Sequence, residues 1–226
     1  MDSRNLKRVT IFAGHYGSGK TNIAVNYALQ SAKHGYKTAI ADLDIVNPYF
    51  RTKDSEKVLA EHGIRLISSP YANSNVDTPA LPAEAYSVIH DNSVYSVIDV
   101  GGDDRGALAL GRYMPEILKQ NDYEMIFVIN KYRYLTSNPN DTVGIMREIE
   151  TAVGAKFTSI VNNSNLGEET TADTVESSFE YADEVSKISG LQIKMTTVKE
   201  ILYNHLKDNK ENLFDINLYV RQSWLR

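Results

Sequence analysis

The residues Gly14-His15-Tyr16-Gly17-Ser18-Gly19-Lys20-Thr21 match the pattern GxxxxGK[ST] at every fixed position, and the chemistry this pattern serves is the grip on a polyphosphate. A phosphate chain needs several donors close together. Three glycines let backbone N–H groups turn inward without Cβ clashes. The ammonium of Lys20 can reach the β- and γ-phosphates, and the hydroxyl of Thr21 can ligate Mg²⁺. The helix that opens with Thr21 and Asn22 points its positive N-terminus at the same anion. Residues 14–22 are therefore the expected nucleotide contacts.

Carboxylates stand where they can complete such a site. Asp99 lies near the end of the apolar run Tyr95 to Val100 (YSVIDV), and Asp99-Val100-Gly101-Gly102 reads DxxG. That spacing lets Asp99 hold Mg²⁺ directly or through water while the N–H of Gly102 approaches a γ-phosphate. Asp42 and Asp44 follow the run Lys37 to Ala41, and a spacing of two puts them on one side of an extended backbone. Beside phosphates two carboxylates repel the ligand unless a metal intervenes. Asp42 is accordingly expected in the Mg²⁺ shell and Asp44 as the group that orients an attacking water.

These residues need a scaffold, and the chain alternates apolar runs with segments of helical period from end to end. That alternation predicts one α/β domain over residues 1–226, a mainly parallel, doubly wound sheet with helices on both faces. Strands are expected at Arg8 to Ala13, Lys37 to Ala41, Ile64 to Ser68, Tyr95 to Val100, Glu124 to Ile129, Lys156 to Val161 and Leu191 to Val198. Helices are expected at Thr21 to His34, Ser55 to His62, Ala83 to His90, Asn140 to Val153 and Ala172 to Ser189, with Asn140 or Asp141 capping the fourth. Leu110, Met114, Ile117 and Leu118 share one helical face, interrupted by Pro115. The polar stretch from Ser69 to Thr78 reads as a surface loop, and residues 200–226 as an extension packed on the domain or on a partner.

Composition narrows the classes. The 226 residues carry a net charge of −5 and no cysteine. Acidity gives no general attraction for nucleic acid. The missing thiols exclude disulfides, cysteine-ligated zinc, iron–sulfur clusters and a cysteine nucleophile within this chain. The first residues (MDSRNLKR) have no apolar signal core, and no run is long enough to span a membrane, so the expected location is cytoplasmic.

GHYGSGKT, DLDIVNPYF and IDVGG, in that order, resemble the deviant-Walker nucleotide-binding family that includes MinD, ParA, the nitrogenase iron protein and the CobQ/CobB nucleotide-binding domains. The resemblance implies Mg²⁺-dependent ATP binding and slow hydrolysis, used as a switch that acts on a protein partner or within a homodimer. It also implies that Asn162, or Asn163 in the competing register, reads adenine. The family's signature lysine is replaced by His15, which bears against a dimer sandwiched around nucleotide. Arg51 and Arg105 are the alternative charge stabilisers. Asn130-Lys131-Tyr132-Arg133 begins like the guanine motif NKxD, but the final position is a cation that cannot accept the guanine hydrogen bonds. GTP stays open, because the case against it rests mainly on Arg133. Two other functions also stay open: a small-molecule kinase or ATP-dependent ligase of the dethiobiotin-synthetase type, with Ser69 to Thr78 as substrate loop, and a nucleotide-gated adaptor that does not hydrolyse.

Overall fold

The computed structural model describes residues 6–44, 55–68, 83–208 and 210–219. Arg51, the loop Ser69 to Thr78 and the tail beyond Tyr219 lie outside the described residues. In chain order the strands are β1 (Val9–Ala13), β2 (Thr38–Asp42), β3 (Arg65–Ile67), β4 (Tyr95–Asp99), β5 (Tyr123–Ile129), β6 (Ser159–Asn162), β7 (Ile193–Lys199) and β8 (Leu213–Ile216). The α-helices are α1 (Lys20–Lys33), α2 (Glu56–Glu61), α3 (Ala83–His90), α4 (Asp104–Gly111), α5 (Met114–Gln120), α6 (Pro139–Val153), α7 (Ala172–Glu176), α8 (Phe179–Ser189) and α9 (Glu200–Leu206).

All eight strands form one sheet in the order β3-β2-β4-β1-β5-β6-β7-β8, and every neighbouring pair is parallel. Each connection is therefore a crossover that lays a helix on a face of the sheet. This is why β1, β2 and the body of β5 are buried along their length. On one face Ile23, Ala24 and Tyr27 of α1 and Leu59 of α2 pack on Phe12, Ile40 and Val97. On the other, Leu110, Met114, Ile117, Met146 and Val185 pack on Ile11, Ile98 and Phe127. Strand order reverses around β1, so the carboxyl end of β1 is a topological switch point, where open sheets of this kind bind ligands.

Four expectations are corrected. Asn138 caps α6, its side chain accepting from the N–H groups of Asn140 and Asp141, with Pro139 in the first turn, a position where its missing N–H costs nothing. Leu118 is exposed: the helix breaks between Gly111 and Met114, and α5 buries Met114 and Ile117 instead. The expected helix from Ala172 to Ser189 is two helices, parted at Ser177 and Ser178. The sixth strand begins at Ser159, not at Lys156. Part of the C-terminal extension is itself a strand: β8 completes the sheet beside β7.

Candidate functional site

β1 delivers the chain into residues 14–19, which turn back into α1. Gly17 and Gly19 sit at φ +75° and +89°, where an L side chain is strained. At Gly14 the demand is space: a Cβ would stand 2.5 Å from the carbonyl oxygen of Val128 in β5. The loop therefore lies tightly against the sheet.

Lys20 opens α1 and is buried, its Nζ donating to the carbonyl of His15 at 3.2 Å. Burial pushes its ammonium pKa below the ordinary value, while Asp99, Asp44 and Asp103, in that order, pull it back up. The cation is thus held in a partly desolvated site with acidic neighbours, ready for a stronger anionic partner. Gly102 closes the other side. A Cβ there would meet the backbone of Tyr16 at 2.6 Å and Lys20 Nζ at 2.9 Å, so only glycine lets this backbone reach the loop.

Asp42 and Asp99 end adjacent strands and are paired in register. Both are buried. The N–H of Asp44 donates to Asp42 Oδ1 at 2.9 Å, and Asp44 Oδ1 would lie 3.2 Å from a Cβ on Gly101. The three carboxylates therefore gather beside the phosphate loop with the half-buried Thr21. Among the described residues no group of three or more His, Cys, Asp or Glu could hold a metal by itself. Two carboxylates and a hydroxyl that leave positions for phosphate and water fit Mg²⁺, which keeps several waters and takes few protein ligands. Asp103 has a different task, capping α4 by accepting from Gly106 N–H at 3.0 Å.

His15 folds back on the loop, with Nδ1 2.9 Å from the carbonyl of Tyr16. Arg105 is exposed in the first turn of α4. Asn162 and Asn163 stand apart in their surroundings. The Asn162 amide is fully buried, donating to Ser178 Oγ at 2.9 Å and accepting from Ser164 Oγ at 2.7 Å. Asn163 instead donates to the carbonyl of Ser18 at 2.6 Å and accepts from Thr197 Oγ1. Asn130 is buried too, its oxygen accepting from the N–H groups of Tyr132 and Asn165. Arg133 Nε donates to the carbonyl of Gly17 at 2.8 Å. Two side chains from beyond β5 thus hold successive carbonyls of the phosphate loop, a role no local sequence pattern announces.

Two clefts flank the loop. One runs from Gly19 and Asn22 past Asn163 and Asn165 to Lys199 and Leu218. Among the described residues no Asp or Glu lines it. The second lies between His15, Gly101 to Asp104 and Glu148 of α6. Sequence reading missed Asn165, Thr197, Lys199 and Leu218 as cleft residues. Only their places could have pointed to them: Asn165 and Leu218 just after β6 and β8, Thr197 and Lys199 in the last residues of β7.

No helix among the described residues is long and apolar enough to cross a membrane. No curated protein matches the chain in sequence. Solved structures do match in fold. The cell division protein FtsY from Thermotoga maritima aligns with a TM-score of 0.58 at 18% identity, covering 85% of this chain and 62% of that one. Chloroplast FtsY from Physcomitrella patens gives 0.57 at 19%, covering 88% and 60%. The signal recognition particle 54 kDa protein from Aeropyrum pernix, solved with GDP, gives 0.56 at 17%, covering 87% and 42%. The chain thus spans about three fifths or less of the length of these structures. The family model described as the CobQ/CobB/MinD/ParA nucleotide binding domain matches residues 9–172, from the first residue of β1 to the start of α7. Over most of its length, and through every residue of the phosphate loop and its carboxylates, the chain belongs to this nucleotide-binding family.

Proposed function

We propose that the protein binds ATP with Mg²⁺ and hydrolyses it slowly to ADP and phosphate, as a conformational switch or accessory ATPase serving a protein partner or a second copy in the cytoplasm. One observation carries this reading: buried Lys20 converges with Asp42, Asp44, Asp99 and the backbone of Gly102 on a glycine loop at the switch point of the sheet. Loop amides and Lys20 neutralise the triphosphate, and Asp44 orients water for in-line attack. Thr21, Asp42 and Asp99 would hold Mg²⁺, which supplies charge neutralisation between the phosphates. Gly102, in contact distance of Lys20, reports whether the γ-phosphate is present.

Adenine is favoured over guanine because a carboxylate normally accepts the guanine N1–H and amino hydrogens, and among the described residues none lines the cleft beside Asn163. The position after β5 that would supply one is Arg133, turned onto Gly17. Calorimetric titration with ATP and GTP, each with and without Mg²⁺, tests the reading. Tight Mg²⁺-dependent binding of ATP with slow turnover, lost in Asp44→Asn while binding survives, is the expected result. Absence of binding by either nucleotide would overturn it. The second cleft favours one alternative, a kinase or ligase whose acceptor lies between His15 and Glu148 beside the γ-phosphate. Turnover stimulated strongly by one metabolite would select that alternative.

A further inference from the structure

Asn22 and Asn26 stand one turn apart on α1, and both engage the backbone that follows β8. The Asn26 amide nitrogen donates to the carbonyl of Asn217 at 2.8 Å, and its oxygen accepts the N–H of Asn217 at 2.9 Å. One turn earlier, the Asn22 oxygen accepts the N–H of Tyr219 at 3.0 Å. A carboxamide carries the donor and acceptor of a peptide group, so this helix grips the chain as a neighbouring strand would. The segment is anchored beneath as well. β8 is bonded to β7, Phe214 lies 6.3 Å from the ring of Tyr27, and Tyr219 packs on the same apolar cluster.

Between the two anchors sits Leu218, which lines the cleft that begins at Gly19 and Asn22. The location fixes what that cleft can receive. Asp42, Asp99 and Gly102 follow β2 and β4, on one side of β1, and mark the terminal-phosphate end. The cleft opens on the other side, toward β6, β7 and β8. A nucleotide whose phosphates lie along residues 14–21 must send its nucleoside there. Residues 213–219 lie beyond the stretch 9–172 that matches the family, so this wall is a feature of the chain's own C-terminal region.

We infer that Asn217 to Tyr219 form a strap that walls the nucleoside cleft, with Asn22 and Asn26 as positioning residues, so that nucleoside binding and docking of the C-terminal segment are coupled. The inference rests on the nucleotide reading above. Coupling runs both ways: a ligand that packs on the strap holds it down, and a loosened strap weakens the ligand by the same factor.

The full chain is titrated with Mg²⁺-ATP and with Mg²⁺-triphosphate, as wild type, Asn26→Leu and Leu218→Ala. Asn26→Leu removes the two-bond anchor on Asn217 and leaves that of Asn22 on Tyr219, and Leu218→Ala removes only a half-buried side chain. Both variants are expected to lose about five- to tenfold in ATP affinity, while triphosphate affinity stays within about twofold of wild type. Amide exchange over residues 213–219 should slow with ATP and not with triphosphate. Unchanged ATP affinity in both variants, or equal losses for ATP and triphosphate, would overturn the strap and leave the nucleotide reading standing. A wild-type chain that binds triphosphate but neither ATP nor GTP more tightly removes the nucleotide reading and the strap together.

Discussion

The side-chain amide of Asn163 holds the carbonyl of Ser18 at 2.6 Å across 145 residues of chain. The same amide fills the space a Cβ on Gly19 would need. Replacing Asn163 with Ala leaves a buried carbonyl unsatisfied and is expected to cost about 1–2 kcal/mol of stability. It should also weaken nucleotide and inorganic triphosphate alike, about tenfold, because the loop itself loosens. Thermal melts and calorimetry on the same variant check both.

Lys20→Ala is expected to abolish nucleotide binding, by at least about a hundredfold, with the far-ultraviolet spectrum unchanged. In the wild type, burial lowers the pKa of this ammonium from 10.5. Phosphates favour its charged form, so binding takes up a proton above that lowered value. Affinity should begin to fall as pH rises through a point below 10.5, and a profile that stays flat up to 10.5 would contradict the placement.

Arg133→Asp writes the guanine motif NKxD into the sequence. No gain in GTP affinity is expected, because the side chain at 133 faces Gly17 and Asn130 is committed to Asn165 and Tyr132. Affinities for ATP and GTP should instead fall together, and competition binding with both nucleotides measures the ratio.

Glu150 in α6 accepts from Lys156 Nζ and Arg147 Nη1, both at 2.8 Å, and from the N–H of Phe157 at 3.0 Å. Burial, the largest influence, raises its pKa, but these bonds together outweigh it and the net shift is downward from 4.5. Its stabilisation is therefore complete above the unfolded value and is lost as pH falls through the lowered folded one. Glu150→Gln should cost about 1–3 kcal/mol at neutral pH, and denaturant curves of the two proteins should converge in acid.

Much of this site was legible in the residues. The glycine loop announces itself by fixed spacing, and Asp42 and Asp99 by standing at the ends of apolar runs that both faces of the sheet bury. Local spacing could not reveal what long-range partners decide. Asn163 and Arg133 look like turn residues until β5 and β6 bring them under the loop. The helix expected through Ser177 and Ser178 breaks where their side chains are taken by Tyr132 and Asn162. β8, only four residues long, is too short to stand out as a strand without β7 beside it. Asn138 caps α6 from before Pro139, ahead of the first residues that show the helical period.

The loop that begins only fourteen residues into the chain takes its shape from carbonyl contacts supplied by Arg133 and Asn163 and by the strand that carries Val128. During synthesis, then, a nascent chain that ends before β6 carries every residue of the phosphate-binding pattern and lacks Asn163, which holds the carbonyl of Ser18. The full set of contacts that shapes the loop is complete only when β6 docks beside β5, as expected for a parallel architecture built from distant pairings. A chain interrupted before β6 therefore carries the whole motif on a loop that keeps Arg133 on Gly17 and lacks Asn163 on Ser18.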